Sequence, residues 1–444
     1  MSIETDRLLS VEEARKGVID AIAGPVGTET IPTPEALGRV LAGPVVAAVS
    51  LPPWDNSAMD GYAVQAADTL GASEDEPVRL TVTGDVPAGR AATEAGQPGA
   101  AFRIATGAPI PAGADAVVQV EWTTPLDADG RRGPRGRDAS GPLPAAILVH
   151  EAVKAGTAIR PLGSDLEEGT TLLDPGRRLR PSAIALAAGA GVAQLEVYRP
   201  PRVAVLATGD EVRPPGEPLG AAGIPDENGP GLRALVERAG CEPIDLGIAR
   251  DDLDDVLGRL RRALDDGADA LLISGGVSVG PYDVVKNAIE TIGRVDLWRV
   301  AVQPGKPFAF GTAQRPNGRP DALVFGLPGN PVSSFVTFEL FVRPALRRLA
   351  GRRDLLRAAE KATLLEPVRK SHGRRAFIRV IAERDDAGTP LRDGGGRVKV
   401  RLAGGQGSHV ISALAKADAL AIIPEAEDEL TAGAPVALWW LDEA

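Results

Sequence analysis

Cysteine is almost absent from this chain: Cys241 stands alone among 444 residues. A single thiol excludes an internal disulfide framework and any cysteine-rich zinc or iron–sulfur site. Histidine is nearly as scarce. His150, His372 and His409 lie far apart in sequence, which argues against a multi-histidine metal centre. Net positive charge is missing as well: 49 Lys plus Arg against 60 Asp plus Glu give −11 at neutral pH. A nucleic-acid partner is therefore not expected, because neutralising phosphates needs clustered bases. The longest small-apolar stretch, Ala183 to Val192, is too short to span a bilayer, so no membrane association is expected. Met1 to Asp6 carries acids and no apolar core, unlike a signal peptide, and a cytoplasmic location is expected. Neither G-x-x-x-x-G-K-[ST] nor a G-x-G-x-x-G after a strand occurs, which disfavours a P-loop NTPase or an ordinary dinucleotide enzyme.

What is present is ample material for folded cores, with 44% apolar residues. At roughly 100–200 residues per domain, the length corresponds to about two to four domains. Ser10-Val11-Glu12-Glu13 is a capping box, and Val11, Ala14, Val18 and Ile22 then follow at helical spacing. Thr33-Pro34 reads as the start of a second helix with Leu37, Val40 and Leu41 on one face. From Val45 to about Leu173, short strand-like runs (Val78 to Val82, Ala116 to Val120, Ile147 to Val149) alternate with Gly/Pro-rich turns. Inside this region, Asp127 to Pro144 has the composition of a flexible, solvated surface insertion.

From about Pro200 the pattern becomes strand, glycine loop, helix. The runs Arg202 to Ala207, Pro243 to Leu246, Ala270 to Ile273 and Leu323 to Phe325 alternate with amphipathic helical segments. Such alternation predicts a mostly parallel α/β sheet covered on both faces. Beyond Gly351 the short runs Ala362 to Leu365, Ala376 to Val380, Val398 to Leu402, Ala419 to Ile423 and Val436 to Trp440 predict a small β module.

In open α/β sheets, ligands bind beyond the carboxyl ends of the strands. Three unusual loops fall there. Ser274-Gly275-Gly276-Val277-Ser278-Val279-Gly280 lets backbone N–H groups approach an anion, with Asp283 just beyond. Thr208-Gly209-Asp210-Glu211 brings two carboxylates, and Pro328-Gly329-Asn330-Pro331 turns tightly into a helix N-terminus. One glycine turn is often only a turn, and Asp251-Asp252 alone reads as a helix cap. Three such loops on one edge favour a phosphate or nucleotide site, with Mg²⁺ bridging carboxylates and substrate oxygens. Outside this sheet, Pro52 to Ala63 packs two acids, an amide, a hydroxyl and two aromatics into twelve residues, and Arg103 to Pro111 holds a second polar turn.

The loop Asp55 to Tyr62, the turn Thr106-Gly107-Ala108-Pro109, Thr208 to Glu211, Ser274 to Gly280, Pro304-Gly305-Lys306-Pro307 and Leu327 to Pro331 occur in this order. Together they resemble the molybdopterin molybdenumtransferase family, which includes bacterial MoeA and the E domain of gephyrin. The resemblance runs from about Leu8 to the C-terminus. It implies an elongated, four-part subunit: 1–45 with 169–200, a β-rich 46–168, an α/β molybdopterin-binding 201–350 and a C-terminal barrel 351–444. The N-terminal helix is expected either with the first part or packed on the α/β part.

The implied chemistry is insertion of molybdate into adenylylated molybdopterin with release of AMP, aided by Mg²⁺. The implied assembly is a homodimer whose site is shared between subunits, with a contact to the adenylyltransferase of the preceding step. The implied catalytic residues are Asp60, Thr106, Glu211, Asp251 and Asp283, of which Glu211, Asp251 and Asp283 would hold the metal. Substrate binding is implied for Asp165, Ser274, Gly275, Gly276, Ser278, Gly280, Lys306, Pro328, Gly329, Asn330, Arg374 and Ser408. The family often has two lysines before the Pro-Gly-Lys-Pro turn, where this chain has Arg299 and Gln303. Ahead of Asp165, the usual arginine-rich stretch reads Arg160-Pro161-Leu162-Gly163-Ser164. Competing readings are a non-catalytic pterin-binding scaffold and an adenylyltransferase that makes the adenylylated pterin.

Overall fold

The computed structural model describes residues 8–136, 141–276 and 284–442. Its first helix, Val11–Asp20, starts at the capping box: the Ser10 hydroxyl accepts from the Glu13 N–H, and the Glu13 carboxylate accepts from the Ser10 N–H. Val11, Ala14 and Val18 on its inner face are fully buried with Val203, Phe308 and Phe341 of the α/β sheet and its helices. Burying each valine contributes about 1.5–3 kcal/mol. Just ahead of the helix, the Leu9 N–H donates to the Arg299 carbonyl at 2.8 Å. The N-terminus is thereby tied to the segment that leads to Lys306.

The second helix expected from Thr33-Pro34 does not form. Thr33–Glu35 makes a single 3₁₀ turn, and Val40–Leu41 is a short strand antiparallel to Gln194–Tyr198. Gly38 at φ +77° breaks the helical path, and its N–H donates to the Leu179 carbonyl. Backbone pairing with a distant strand thus outcompetes local helical propensity.

In the β-rich region, a six-stranded sheet runs in the order Ala116–Gln119, Gly61–Val64, Ala100–Ile104, Val78–Val86, Ala146–Val149, Thr123–Leu126. The strand-like runs read from the sequence here fall on these strands, except that Val120 opens the 3₁₀ turn Val120–Trp122. Gly61 pairs with Ile104, which sets Asp60 beside the turn that carries Thr106. A Cβ at Gly61 would lie 2.1 Å from the Val118 carbonyl oxygen, so only glycine permits this close pairing. The described part of 127–144 doubles back on the sheet. Gly133 N–H donates to the Pro125 carbonyl, and the Arg135 guanidinium pairs with Glu74.

The α/β sheet has the order Glu242–Ala249, Arg202–Thr208, Ala270–Ser274, Ala322–Leu327, Pro307–Ala313, Gly293–Arg299. The first four strands are mutually parallel, and Pro307–Ala313 is antiparallel to both its neighbours. Arg202–Thr208 is buried from Val203 onward because both faces are covered. Val203, Val205 and Leu272 face one core, and Ala204, Leu206, Leu271 and Ile273 face the other. The sequence pattern does not announce the antiparallel hairpin, whose contribution is aromatic: Phe308 stacks at 4.7 Å from Phe341, and Trp298 lies 5.4 Å from Phe310.

The C-terminal strands close on themselves. Arg375–Ala382 pairs with Val398–Leu402, then Glu360–Leu364, Pro435–Trp440 and Ala419–Ile423, which returns to Arg375–Ala382. Closure leaves no free sheet edge in this five-stranded barrel. Val302–Gln303, from the α/β part, adds to it in parallel beside Arg375–Ala376.

Candidate active site

A cavity of about 530 Å³ opens at the carboxyl ends of the parallel strands. The loop after Arg202–Thr208 supplies Thr208, Gly209 and Glu211 to its wall. Gly209 sits at φ +139°, with the Glu211 carboxylate folded over it. The two aspartates after Glu242–Ala249 divide their work. Asp252 is the N-cap of Leu253–Asp265 and accepts from the Asp255 N–H at 2.9 Å, whereas Asp251 faces the cavity.

After Ala270–Ser274, Ser274, Gly275 and Gly276 line the floor. Gly275 and Gly276 adopt φ +93° and +63°, where a side chain is strained. A Cβ on Gly275 would also meet the Thr208 carbonyl oxygen at 2.7 Å. The Ser274 hydroxyl is buried without a hydrogen-bond partner among the described residues. Pro328, Gly329 and Asn330 complete the cradle. The Gly329 carbonyl accepts from the Asn228 side-chain amide at 2.7 Å, and the Ser334 hydroxyl bonds the Pro328 carbonyl. Asn330 occupies the N-cap position of Pro331–Thr337 without its side chain capping the helix.

Two bases also line the cavity, Arg299 and Lys306, from the hairpin strands at the other edge of the sheet. The Arg299 charge foremost, then partial desolvation and the Arg374 charge, lower the Lys306 pKa below the ordinary lysine value. The Pro-Gly-Lys-Pro turn is packed tightly: a Cβ on Gly305 would meet the Thr337 methyl at 2.6 Å. Arg374 and Ser408 do not line the cavity themselves. Arg374 is near enough for Lys306 to feel its charge, and the Ser408 carbonyl accepts from the Val332 N–H at the start of Pro331–Thr337.

The Asp60–Thr106 pair is well made but elsewhere. Asp60 Oδ1 accepts from both the Thr106 N–H at 2.7 Å and its hydroxyl at 2.8 Å. Both residues are exposed, and neither lines the cavity. Asp165 lies on the same part of the chain, its N–H bonded to the Leu51 carbonyl, and does not line the cavity either. Ser278, Gly280 and Asp283 lie outside the described residues.

Comparison with known proteins gives this arrangement a family. Residues 9–191 match the MoeA N-terminal region (domain I and II), 204–348 the probable molybdopterin binding domain and 361–441 the MoeA C-terminal region (domain IV). The molybdopterin molybdenumtransferase 2 of Mycobacterium tuberculosis is 40% identical over 92% of this chain and 94% of its own. The molybdopterin molybdenumtransferase of Haemophilus influenzae is 34% identical over 97% and 98%. Two solved MoeA structures from Pyrococcus horikoshii, 32% and 30% identical, cover 99% and 98% of this chain and all of their own, with TM-scores of 0.77 and 0.76. The chain belongs to the molybdopterin molybdenumtransferase family.

For a molybdopterin molybdenumtransferase, the donor set on the acidic wall matters most. Glu211 and Asp251 are hard oxygen ligands beside a glycine-lined anion cradle, a combination suited to Mg²⁺. Among the described residues no three metal-ligating side chains are gathered in one cluster. Sequence reasoning missed Asp226, Glu227 and Asn228, which also line the cavity. Asp226 Oδ1 accepts from the Gly229 N–H at 2.8 Å, while burial first and then Asp226 raise the Glu227 pKa. Their signal was two acids and an amide at the start of the helix Asn228–Arg238. Arg379 was missed too. Buried within the barrel, its pKa pushed down to about 10, it donates to the Gly405 carbonyl and so supports the loop that carries Ser408. No helix among the described residues is long and apolar enough to cross a membrane.

Proposed function

We propose that this chain inserts molybdenum from molybdate into adenylylated molybdopterin, with release of AMP, in molybdenum cofactor biosynthesis. The observation that carries the reading is the polarity of the cavity. Carboxylates follow the strands at one edge of the sheet, the glycine loops follow the central strands, and Arg299 with Lys306 belongs to the strands at the other edge, all lining one cavity.

The pterin nucleotide lies along Ser274–Gly276 and Pro328–Asn330, where backbone N–H groups and a helix N-terminus receive phosphate. Glu211 and Asp251 would hold Mg²⁺; Asp283, the third expected ligand, lies outside the described residues. When bound, the ion neutralises phosphate charge and eases departure of AMP. Lys306, Arg299 and Arg374 attract and orient the oxyanion through charge-assisted hydrogen bonds, with Ser408 as an added donor. No protein nucleophile is required.

The same reading assigns Asp60 and Thr106 to the cavity of a second subunit in a homodimer, with Asp165 on the same face. Their exposed, preorganised hydrogen bonds and their separation from the cavity of their own chain support that assignment. It also includes a cytoplasmic location and a contact with the upstream adenylyltransferase.

The test is AMP release from adenylylated molybdopterin and Mg²⁺, with and without molybdate, by the purified protein. Molybdate-dependent release with formation of active cofactor is the expected result. Binding without release would mean a scaffold. Turnover of ATP with free molybdopterin would mean an adenylyltransferase.

A further inference from the structure

We propose that Gln303 is a positioning residue that latches the Arg374 loop at a fixed distance from Lys306. The inference rests on the functional reading above, in which those two bases bind the oxyanion.

The two bases reach the site on different folding units. Lys306 belongs to a turn held firmly by the packing of Gly305 on Thr337. Arg374 belongs to Ser371-His372-Gly373-Arg374, the connection that leads into the barrel strand Arg375–Ala382. At its C-terminal end this connection is fixed by sheet pairing: Val302 faces Arg375, and the Arg375 N–H donates to the Ala301 carbonyl at 2.8 Å. At its other end the Gln303 side-chain oxygen accepts from the Ser371 N–H at 2.8 Å.

Gln303 is therefore a side-chain clasp on the loop, three residues from Lys306 in the same strand-and-turn segment. Arg374 has no acidic partner among the described residues, so nothing in the barrel neutralises or redirects its charge. Lys306 senses that charge across the gap. Two unneutralised bases repel each other, and because the neighbouring anchors at Lys370, His372 and Arg375 do not hold the Ser371 N–H, loss of the Gln303 bond would let the 371–374 turn relax and widen the Arg374–Lys306 separation. An uncharged amide can hold the loop without adding to the repulsion, whereas a base at this position could not accept the Ser371 hydrogen bond.

The experiment compares the wild type with Gln303→Met, which removes the acceptor at similar volume, and with Gln303→Glu, which keeps an acceptor. Two quantities are read: amide exchange at Ser371, and KM and kcat for molybdate in the AMP-release assay. For Gln303→Met, Ser371 exchange rises about tenfold and KM for molybdate rises about tenfold, as for one lost hydrogen bond, with kcat changing far less. Gln303→Glu keeps the Ser371 amide protected, which separates the acceptor from side-chain packing. Unchanged exchange in Gln303→Met, or an unchanged KM in that variant when the wild type does turn over molybdate, would overturn the latch. Absence of molybdate-dependent turnover in the wild type would overturn the functional reading instead, while the exchange data would still report on the latch.

Discussion

The acidic and basic walls of the cavity were assembled by different means. Glu211 and Asp251 each sit a few residues after a parallel strand, so their place follows from the strand–loop–helix order of the chain. Arg299 and Lys306 flank an antiparallel hairpin, and Arg374 arrives from a barrel on the far side of a shared edge. Local order builds the carboxylate side of the cavity. The side that carries Arg299 and Lys306 depends on long-range register.

The largest break in this comparison is expected from Glu211→Gln or Asp251→Asn. On the proposed function, loss of either carboxylate should lower molybdate-dependent AMP release by about 10²–10³-fold with the thermal midpoint preserved. Full activity in either variant would remove these residues from the mechanism. Next comes Lys306→Met, for which we expect KM for molybdate to rise by about 10²-fold while binding of the pterin nucleotide, read by calorimetry, is retained. Equal loss of both affinities would mean that the two walls do not act separately.

The pH profile sharpens the basic wall further. Neighbouring positive charge, Arg299 above all, lowers the Lys306 pKa, so the lysine loses its proton at a lower pH than a solitary lysine. In kcat/KM for molybdate the alkaline limb should fall as pH rises through that lowered value. Arg299→Gln should move the limb to higher pH, and an unmoved limb would show that Lys306 does not control it.

The smallest effect on chemistry is expected at Thr106→Val. It removes the hydroxyl bond to Asp60 but leaves the backbone bond at 2.7 Å. About 1 kcal/mol of positioning corresponds to roughly fivefold in rate. If the pair serves the partner's cavity, a mixed dimer of Thr106→Val and Glu211→Gln subunits has one site with both Glu211 and Thr106 intact, so its turnover should be about half that of the wild type and above that of the Thr106→Val homodimer; turnover below that homodimer would place the pair in its own chain's site.

Much of this architecture was legible because parallel strands buried on both faces read as short unbroken apolar runs. Arg202 to Ala207 and Ala270 to Ile273 are such runs, and both are strands. Thr33 to Leu41 misled because its apolar spacing suits a helix, while its hydrogen bonds go to Gln194–Tyr198 and the 177–179 segment, more than 130 positions away. The hairpin of Gly293–Arg299 and Pro307–Ala313 escaped notice because its interior interrupts the strand pattern with a Pro-Gly turn that serves the site. Asp226 and Glu227 were passed over because acids at the start of a helix are ordinary capping material.

Sequence by itself determined the succession of parallel strands and helices, the glycine cradle and the carboxylates that follow the strands, since each depends on neighbours within a few residues. Only the tertiary structure decided that Asp251 faces the cavity while Asp252 caps a helix. It alone placed Lys306 against Arg299 and within reach of the Arg374 charge, and set Asp60 and Thr106 apart from their own chain's cavity. Those relations depend on strand register and on the docking of one unit against another. They are long-range contacts, which no local pattern encodes.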